Sequence, residues 1–430
     1  MPLPDLIEID PLPAAPNAQV TVPGSKSITN RALVLAALAD GSTTLRGALW
    51  SEDTQVMVSC LQTLGFDVAV EPDPGDPANR TIRVVGQGGR IPRGGTAEQP
   101  LSLHVGNAGT AARFLSAMVC LGPGAYRLSG VPRMHQRPQA ALLQALRSLG
   151  YRVEAPNDRL PAVIHGQGGP RPGVCHVSIA ESSQFASALL LAAPRAGWEV
   201  MIDGTADGDE APYVAMTTRL AGTFPARGGI VDIEPDASSG SYFWAADWLL
   251  RGGRPTPSGS SPVARWPESG WQVDARFPGF LPLPPEVSRE RHLGDSIMTA
   301  IVLGPFAGYP VRFTDLGRLR VQECERVAAL REGLARCGAD VHEEGDTLTV
   351  LPSALHGAEI ETHDDHRVAM CFATLALHVP GLRIRNPACV RKTFPNFFQK
   401  LAAPAPNGLG AMIRDARTGR RLEGDSLLAT

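Results

Sequence analysis

The chemistry of this chain opens on a cluster of cations at the start of an apolar segment. Pro23-Gly24-Ser25-Lys26-Ser27-Ile28-Thr29-Asn30-Arg31 runs straight into Ala32-Leu33-Val34-Leu35-Ala36-Ala37-Leu38. It reads as a tight turn followed by a helix that is apolar on nearly every side, and such a helix is buried. Its positive dipole end carries a Lys, an Arg and hydroxyl groups, which describes an anion site. A P-loop is excluded, because that motif needs a Gly directly before the Lys and Ser25 stands there.

The pattern recurs. Gly106-Asn107-Ala108-Gly109-Thr110 precedes an apolar run to Val119, and Ser182-Ser183-Gln184 precedes one to Leu191. Ser238-Ser239-Gly240-Ser241, Gly294-Asp295-Ser296 and His363-Asp364-Asp365-His366-Arg367 introduce three more. Ordinary N-capping accounts for each start separately. It does not account for Lys, Arg, Asp and His concentrated at the same end each time.

The cations at or near these starts are Lys26, Arg31, Arg113, Arg137, Arg326, Arg367 and Lys392. Arg suits bidentate recognition of phosphate or carboxylate, whereas Lys acts as a point charge or a titrating group. Together they imply a small ligand with several negative charges. Two carboxylates stand among them, Asp295 and Glu323, and could divide general acid and base roles. The plainer alternative makes Asp295 an N-cap and Glu323 an ion-pair partner of Arg326. His363-Asp364-Asp365-His366 offers metal-ligand types, but its spacing has no third cluster to complete a site. There Asp365 serves equally well as a helix cap.

The elements that must position these groups follow from length and pattern. At 430 residues the chain suggests two or three domains. A net charge of −3 gives no whole-molecule attraction to nucleic acid or membranes, so anion binding must come from local clustering. No apolar run reaches the length of a membrane span, and the N-terminus shows no signal-peptide pattern. Seven scattered cysteines without C-x-x-C spacing read as reduced and cytosolic, so the expected location is cytoplasmic and no zinc site is implied.

A cassette of strand, helix, Leu/Cys-Gly, strand, strand repeats after the apolar helices. It occurs as 42–46, 51–65, 67–70, 82–85, again as 125–130, 139–150, 152–154, and again as 311–313, 323–338, 340–341, 347–350. The repeats predict an α/β (α+β) fold of two lobes, 22–234 and 1–21 plus 235–430. The lead-in, with Ile7, Ile9, Val20 and Val22 alternating, belongs to the second lobe. Residues 252–292 are Pro/Gly-rich and break the order, and 403–430 read as a partly ordered tail.

At these residues the chain resembles the 5-enolpyruvylshikimate-3-phosphate synthase family. The matching blocks are PGSKSITNRAL (23–33), GNAGTAAR (106–113), PRMHQRP (132–138), SSQ (182–184) and DASSGSYF (236–243). DSIMT (295–299), 320–326, DHRVAMC (365–371) and KTFPNFF (392–398) follow in the family's order. The resemblance implies a two-lobed inside-out α/β barrel of repeated βαβαββ units, with substrates between the lobes. The implied reaction transfers the enolpyruvyl group of phosphoenolpyruvate to the 5-hydroxyl of shikimate 3-phosphate and releases phosphate. It runs by addition and elimination through a tetrahedral intermediate, in a monomer, without metal or organic cofactor.

By that resemblance Lys26, Ser27, Arg31, Ser182, Ser183, Gln184, Asp295 and Gln322 hold shikimate 3-phosphate. Lys26, Asn107, Gly109, Arg113, Arg137, Gln184, Arg326, Arg367 and Lys392 hold phosphoenolpyruvate. Asp295 takes the hydroxyl proton and Glu323 protonates the methylene carbon, assisted by Lys26 or Lys392. Gly109 resembles glyphosate-sensitive relatives, although Phe114 stands where those often have Pro. The chain departs from the family at Gln322 (commonly Lys), near Arg318 (where an Asn is common) and at Glu210 (frequently Ser). Gln272–Phe277 resembles the start of a second-lobe repeat that is then cut short. Two alternatives stand beside this reading. One is the enolpyruvyl transferase acting on UDP-N-acetylglucosamine, which carries a reactive Cys on a glycine-flanked loop, unlike Cys120 or Cys175. The other is a non-catalytic binder of small anions.

Overall fold

The computed structural model describes residues 3–203 and 212–429. It divides into two compact units, one of Gly24–Glu234 and one joining Met1–Pro23 to Pro235–Thr430.

In the first unit the helices Lys26–Leu38, Gly109–Met118 and Gln184–Ala196 pack on one another. From Ile28 to Leu38, and throughout Gly109–Met118, every residue is buried. This follows from their composition, since a helix without a polar face has none to show to water. Sheets lie outside them. Ser42–Leu49 pairs in parallel with Gly229–Asp232 and antiparallel with Asn79–Val85, which pairs antiparallel with Val68–Pro72. Ile82 and Val84 point inward while Arg83 points out, the alternation of a half-buried strand. Leu101–His104, Ala125–Ser129, Ala162–His165 and Arg152–Glu154 repeat the same parallel, antiparallel, antiparallel order. Gly173–Ser178 and Trp198–Asp203 form a separate parallel pair.

The second unit follows suit. The helices Ala237–Leu250, Ile297–Leu303 and His366–Ala376 pack together in a core that includes Phe243, Trp248, Ile297, Met298 and Phe372. Glu286–Ser288, Val311–Thr314, Thr347–Val350 and Val341–Glu344 make one sheet with that same order of pairing. The other is Glu359–Ile360, Arg383–Arg385, Leu6–Ile9 and Ile413–Asp415. Helices inside and sheets outside give an α/β fold turned inside out, with the described sheets remaining separate pieces.

Three regions differ from the sequence reading or sharpen it. Residues 403–429, expected to be a partly ordered tail, are built into the unit. Ile413–Asp415 covers the free edge of Leu6–Ile9, and Leu409, Ala411, Ile413, Leu422 and Leu427 are buried. An uncovered edge of apolar alternation would otherwise be left open. The helix expected from Glu323 begins instead at Arg326. Glu325 caps it by accepting from the Ala328 amide at 2.6 Å, which leaves Gln322, Glu323 and Cys324 in the connection before it. Between Leu250 and Glu286 the chain carries the 3-10 segment Val273–Phe280 and a parallel bridge from Val20 to Val263.

Candidate active site

The first unit gathers its polar groups at the starts of three buried helices. Lys26 opens its helix, with Nζ 3.3 Å from Asp53 Oδ2 and side chains 15% and 3% exposed. Asp53 comes from the first turn of Glu52–Thr63, whose start is fixed by a capping box between Ser51 and Thr54. Ser27 is half-buried.

Arg31 lies deeper. Its guanidinium donates to Thr217 Oγ1 at 2.7 Å, Ser187 Oγ at 3.0 Å, and the carbonyls of Ser27 and Tyr213. Burial lowers it to about 10, against the influence of Tyr213. Arg31 thus ties helices together, and most of its donors are engaged within the unit.

Arg113 and Arg137 flank Gly109. Arg113 donates to Gln184 Oε1 at 2.9 Å and to the Pro138 carbonyl at 3.0 Å, and it lies over the Phe185 ring at 5.4 Å. Arg137 donates to the Asn107 carbonyl at 3.1 Å. A Cβ on Gly109 would come within 2.5 Å of Arg113 Nη1 and 2.8 Å of Arg137 Nη2. The absence of a side chain there is what lets two guanidinium groups converge on a helix N-terminus. Gln184 begins its helix directly after Ser182 and the buried Ser183, so Asn107, Gly109, Arg113, Arg137 and Gln184 share one neighbourhood.

The second unit holds the carboxylates. Asp295 precedes the helix Ile297–Leu303 but does not cap it with its side chain. Its carboxylate faces Arg289 Nη2 at 3.3 Å and Arg367 Nη2 at 3.0 Å. Burial pushes Asp295 up, but the charges of Arg367, Arg326 and Arg289 outweigh it and hold the group well below its ordinary range.

Arg326, 1% exposed, donates to both oxygens of Asp365, at 2.7 and 3.2 Å. It also pairs with Glu323 Oε2 at 2.8 Å and donates to Gln322 Oε1. Burial acts to lower the Arg326 guanidinium, yet Asp365, Glu323 and Asp295 together raise it above its ordinary value. Asp365 caps His366–Ala376 through the Arg367 amide at 2.8 Å, so one carboxylate aligns two arginines. Lys392 ends the 3-10 segment Pro387–Lys392 and is buried.

Sequence reasoning missed Arg289, Asp53 and the double role of Asp365. Arg289 sits in a run of charges that reads as surface, and nothing local to Asp365 points to Arg326. Among the departures, neutral Gln322 serves as an acceptor for Arg326. Arg318 is held below its ordinary value by burial and then by the charge of Arg289, with Glu290 opposing. Glu210 lies outside the described residues. His363 and Asp364 form a left-handed turn, with φ of 52° and 56°. Among the described residues no group of three or more metal-ligand side chains converges.

The chain as a whole has counterparts among known proteins. The sequence pattern of EPSP synthase, 3-phosphoshikimate 1-carboxyvinyltransferase, matches residues 13–227 and 281–401. The 3-phosphoshikimate 1-carboxyvinyltransferase of Opitutus terrae is 40% identical, covering 94% of this chain and 98% of its own. That of Nostoc punctiforme is 35% identical over 92% and 98%. Among solved structures, EPSP synthase from Acinetobacter baumannii superposes with a TM-score of 0.66 at 21% identity, over 95% of this chain and 100% of that one. The enolpyruvyl transferase NikO from Streptomyces tendae gives 0.66 at 17% identity, over 96% and 99%. The last two comparisons speak to fold alone. The first three establish that the chain belongs to the EPSP synthase family.

Proposed function

We propose that the chain transfers the enolpyruvyl group of phosphoenolpyruvate to the 5-hydroxyl of shikimate 3-phosphate. The observation that carries the chemistry is Asp295, a carboxylate held ionised by arginines beside a second carboxylate, Glu323. Asp295 takes the hydroxyl proton as the oxygen bonds to C2 of phosphoenolpyruvate, and Glu323 delivers a proton to the methylene carbon. In the elimination the methyl carbon returns a proton to Glu323, the bond from C2 to the phosphate oxygen breaks, and phosphate leaves carrying the proton that Asp295 had taken. Lys26 and Lys392 balance negative charge in the tetrahedral intermediate. Lys26, Ser27, Arg31, Ser182, Ser183, Gln184 and Gln322 hold the sugar phosphate. Asn107, Gly109, Arg113, Arg137, Arg326 and Arg367 hold phosphoenolpyruvate.

The thiols oppose the UDP-N-acetylglucosamine alternative, because a reactive cysteine needs a lowered thiol pKa. Burial pushes Cys175 up to about 11 and raises Cys120 further. Phosphate release with phosphoenolpyruvate and shikimate 3-phosphate, and none with UDP-N-acetylglucosamine, is the expected result. Tight binding of both substrates with no phosphate released would instead favour a non-catalytic anion binder.

Glyphosate carries a carboxylate and a phosphonate on a longer frame than phosphoenolpyruvate, and wild type should be inhibited by it. Gly109→Ala should weaken the inhibitor more than the substrate. The methyl would press on the tips of Arg113 and Arg137, so both ligands lose some affinity and the longer one loses more. Such overpacking costs roughly 1–3 kcal/mol, on the order of a tenfold to hundredfold rise in the inhibition constant. Equal weakening of glyphosate and phosphoenolpyruvate, or a wild type indifferent to millimolar glyphosate, would contradict this.

A further inference from the structure

The segment left behind by the shortened repeat contains a buried carboxylate that the reaction does not use. Asp274 is 2% exposed. Its Oδ1 accepts from the Gly294 amide at 2.7 Å, the Ser296 amide at 3.2 Å and Ser296 Oγ at 2.6 Å. Its Oδ2 accepts from Ser238 Oγ, in the first turn of Ala237–Leu250. Two residues earlier, Gln272 accepts from the Ala237 amide at 3.0 Å and donates to the Pro235 carbonyl at 2.8 Å. Gln272-Val273-Asp274 therefore joins the start of one core helix to the residues on either side of Asp295.

We propose that Asp274 is a positioning residue, gripping the backbone before and after Asp295 so that its carboxylate is aimed at the substrate hydroxyl. The two amides it holds belong to Gly294 and Ser296, so the Asp295 Cα is pinned from both directions. Arg289 and Arg367 then fix the Asp295 side chain. Proton transfer demands such placement, because a misplacement of about 1 Å can cost on the order of 10²-fold in rate. A carboxylate is costly to bury unless its oxygens are hydrogen-bonded, and here both are. Burial and the nearby charge of Asp295 raise the Asp274 pKa, against the hydrogen bonds from Ser238 and Ser296.

This role rests on Asp295 being the base, and the test separates the two. Phosphate release is measured on the full chain, together with calorimetric binding of shikimate 3-phosphate to count ligand-competent sites. Asp274→Ala should lower kcat per competent site on the order of 10²-fold, leaving the shikimate 3-phosphate Kd and the phosphoenolpyruvate KM within about threefold. Asp274→Asn keeps an acceptor oxygen at Oδ1 and should recover most of that loss, which a requirement for charge alone would not allow. Should Asp274→Ala fail to fold, Ser296→Ala decides, with a severalfold loss in kcat at unchanged Kd expected. Wild-type rates in folded Asp274→Ala or in Ser296→Ala, a loss confined to KM, or equal losses in the Ala and Asn variants would overturn the role while wild type stays active. A wild type without turnover would overturn the reaction itself and this role with it.

Discussion

Asp295→Ala should depress kcat by on the order of 10²- to 10⁴-fold, the range that a positioned general base supplies, with a much smaller change in KM. The basis is geometric. Asp295 is not a helix cap; its oxygens face Arg289 and Arg367. Burial pushes its proton affinity up, and the arginine charges more than reverse that, leaving it below its ordinary value of 3.8. On the proposed role, this lowered pKa leaves Asp295 ionised near neutral pH, and kcat/KM should show no acid limb from this group between roughly pH 5 and 7. Under the proposed assignment phosphoenolpyruvate would compete for Arg367, which lies 3.0 Å from Asp295. Losing that cation raises the basicity of Asp295 as substrate arrives. The acid limb of kcat, which reports the complex, should then lie at higher pH than that of kcat/KM. Glu323→Gln should likewise lower kcat far more than it weakens binding. A variant whose defect lies mainly in KM would remove that residue from proton transfer.

Lys26→Ala is the second large effect expected, a loss of about 10²- to 10³-fold in kcat, as for other electrostatic stabilisers. Lys26 stands at the dipole end of a buried helix and is aimed by Asp53. Removing the ammonium also leaves the Asp53 carboxylate buried without it, so thermal unfolding must be followed in parallel. Asp53→Ala supplies the comparison, keeping the cation while freeing its side chain, and it should cost less than Lys26→Ala. A Lys26→Ala protein that is folded and within threefold of wild type would exclude Lys26 from the mechanism.

How much of this was legible in the sequence depends on the range over which each interaction acts. The buried helices announce themselves because an all-apolar stretch has only one place to go, and their polar starts follow directly. The groups that aim the chemistry do not. Asp365 and Arg326 are 39 residues apart, and Asp274 and Ser296 are 22 apart. No local spacing marks such pairs, and Arg289, among Ser288, Glu290 and Arg291, resembles ordinary solvated charge. Glu323 looks helical by composition, yet Glu325 caps the helix two residues later. The fate of the final segment was equally hidden, since its order comes from a partner strand near the other end of the chain.

That partner strand has a consequence for how the chain is made. Leu6–Ile9 lies between Arg383–Arg385 and Ile413–Asp415, and Ile7 and Ile9 are fully buried there. At synthesis rates of about 5–20 residues per second, the interval between making its first residues and its last neighbour is roughly 20–80 s. Gly24–Glu234 is one continuous stretch and can complete its core on the ribosome during that wait. The opening strand cannot. Its pairing partners Arg383–Arg385 and Ile413–Asp415 are made late, so this sheet of the second unit can close only after residue 415 has been synthesised.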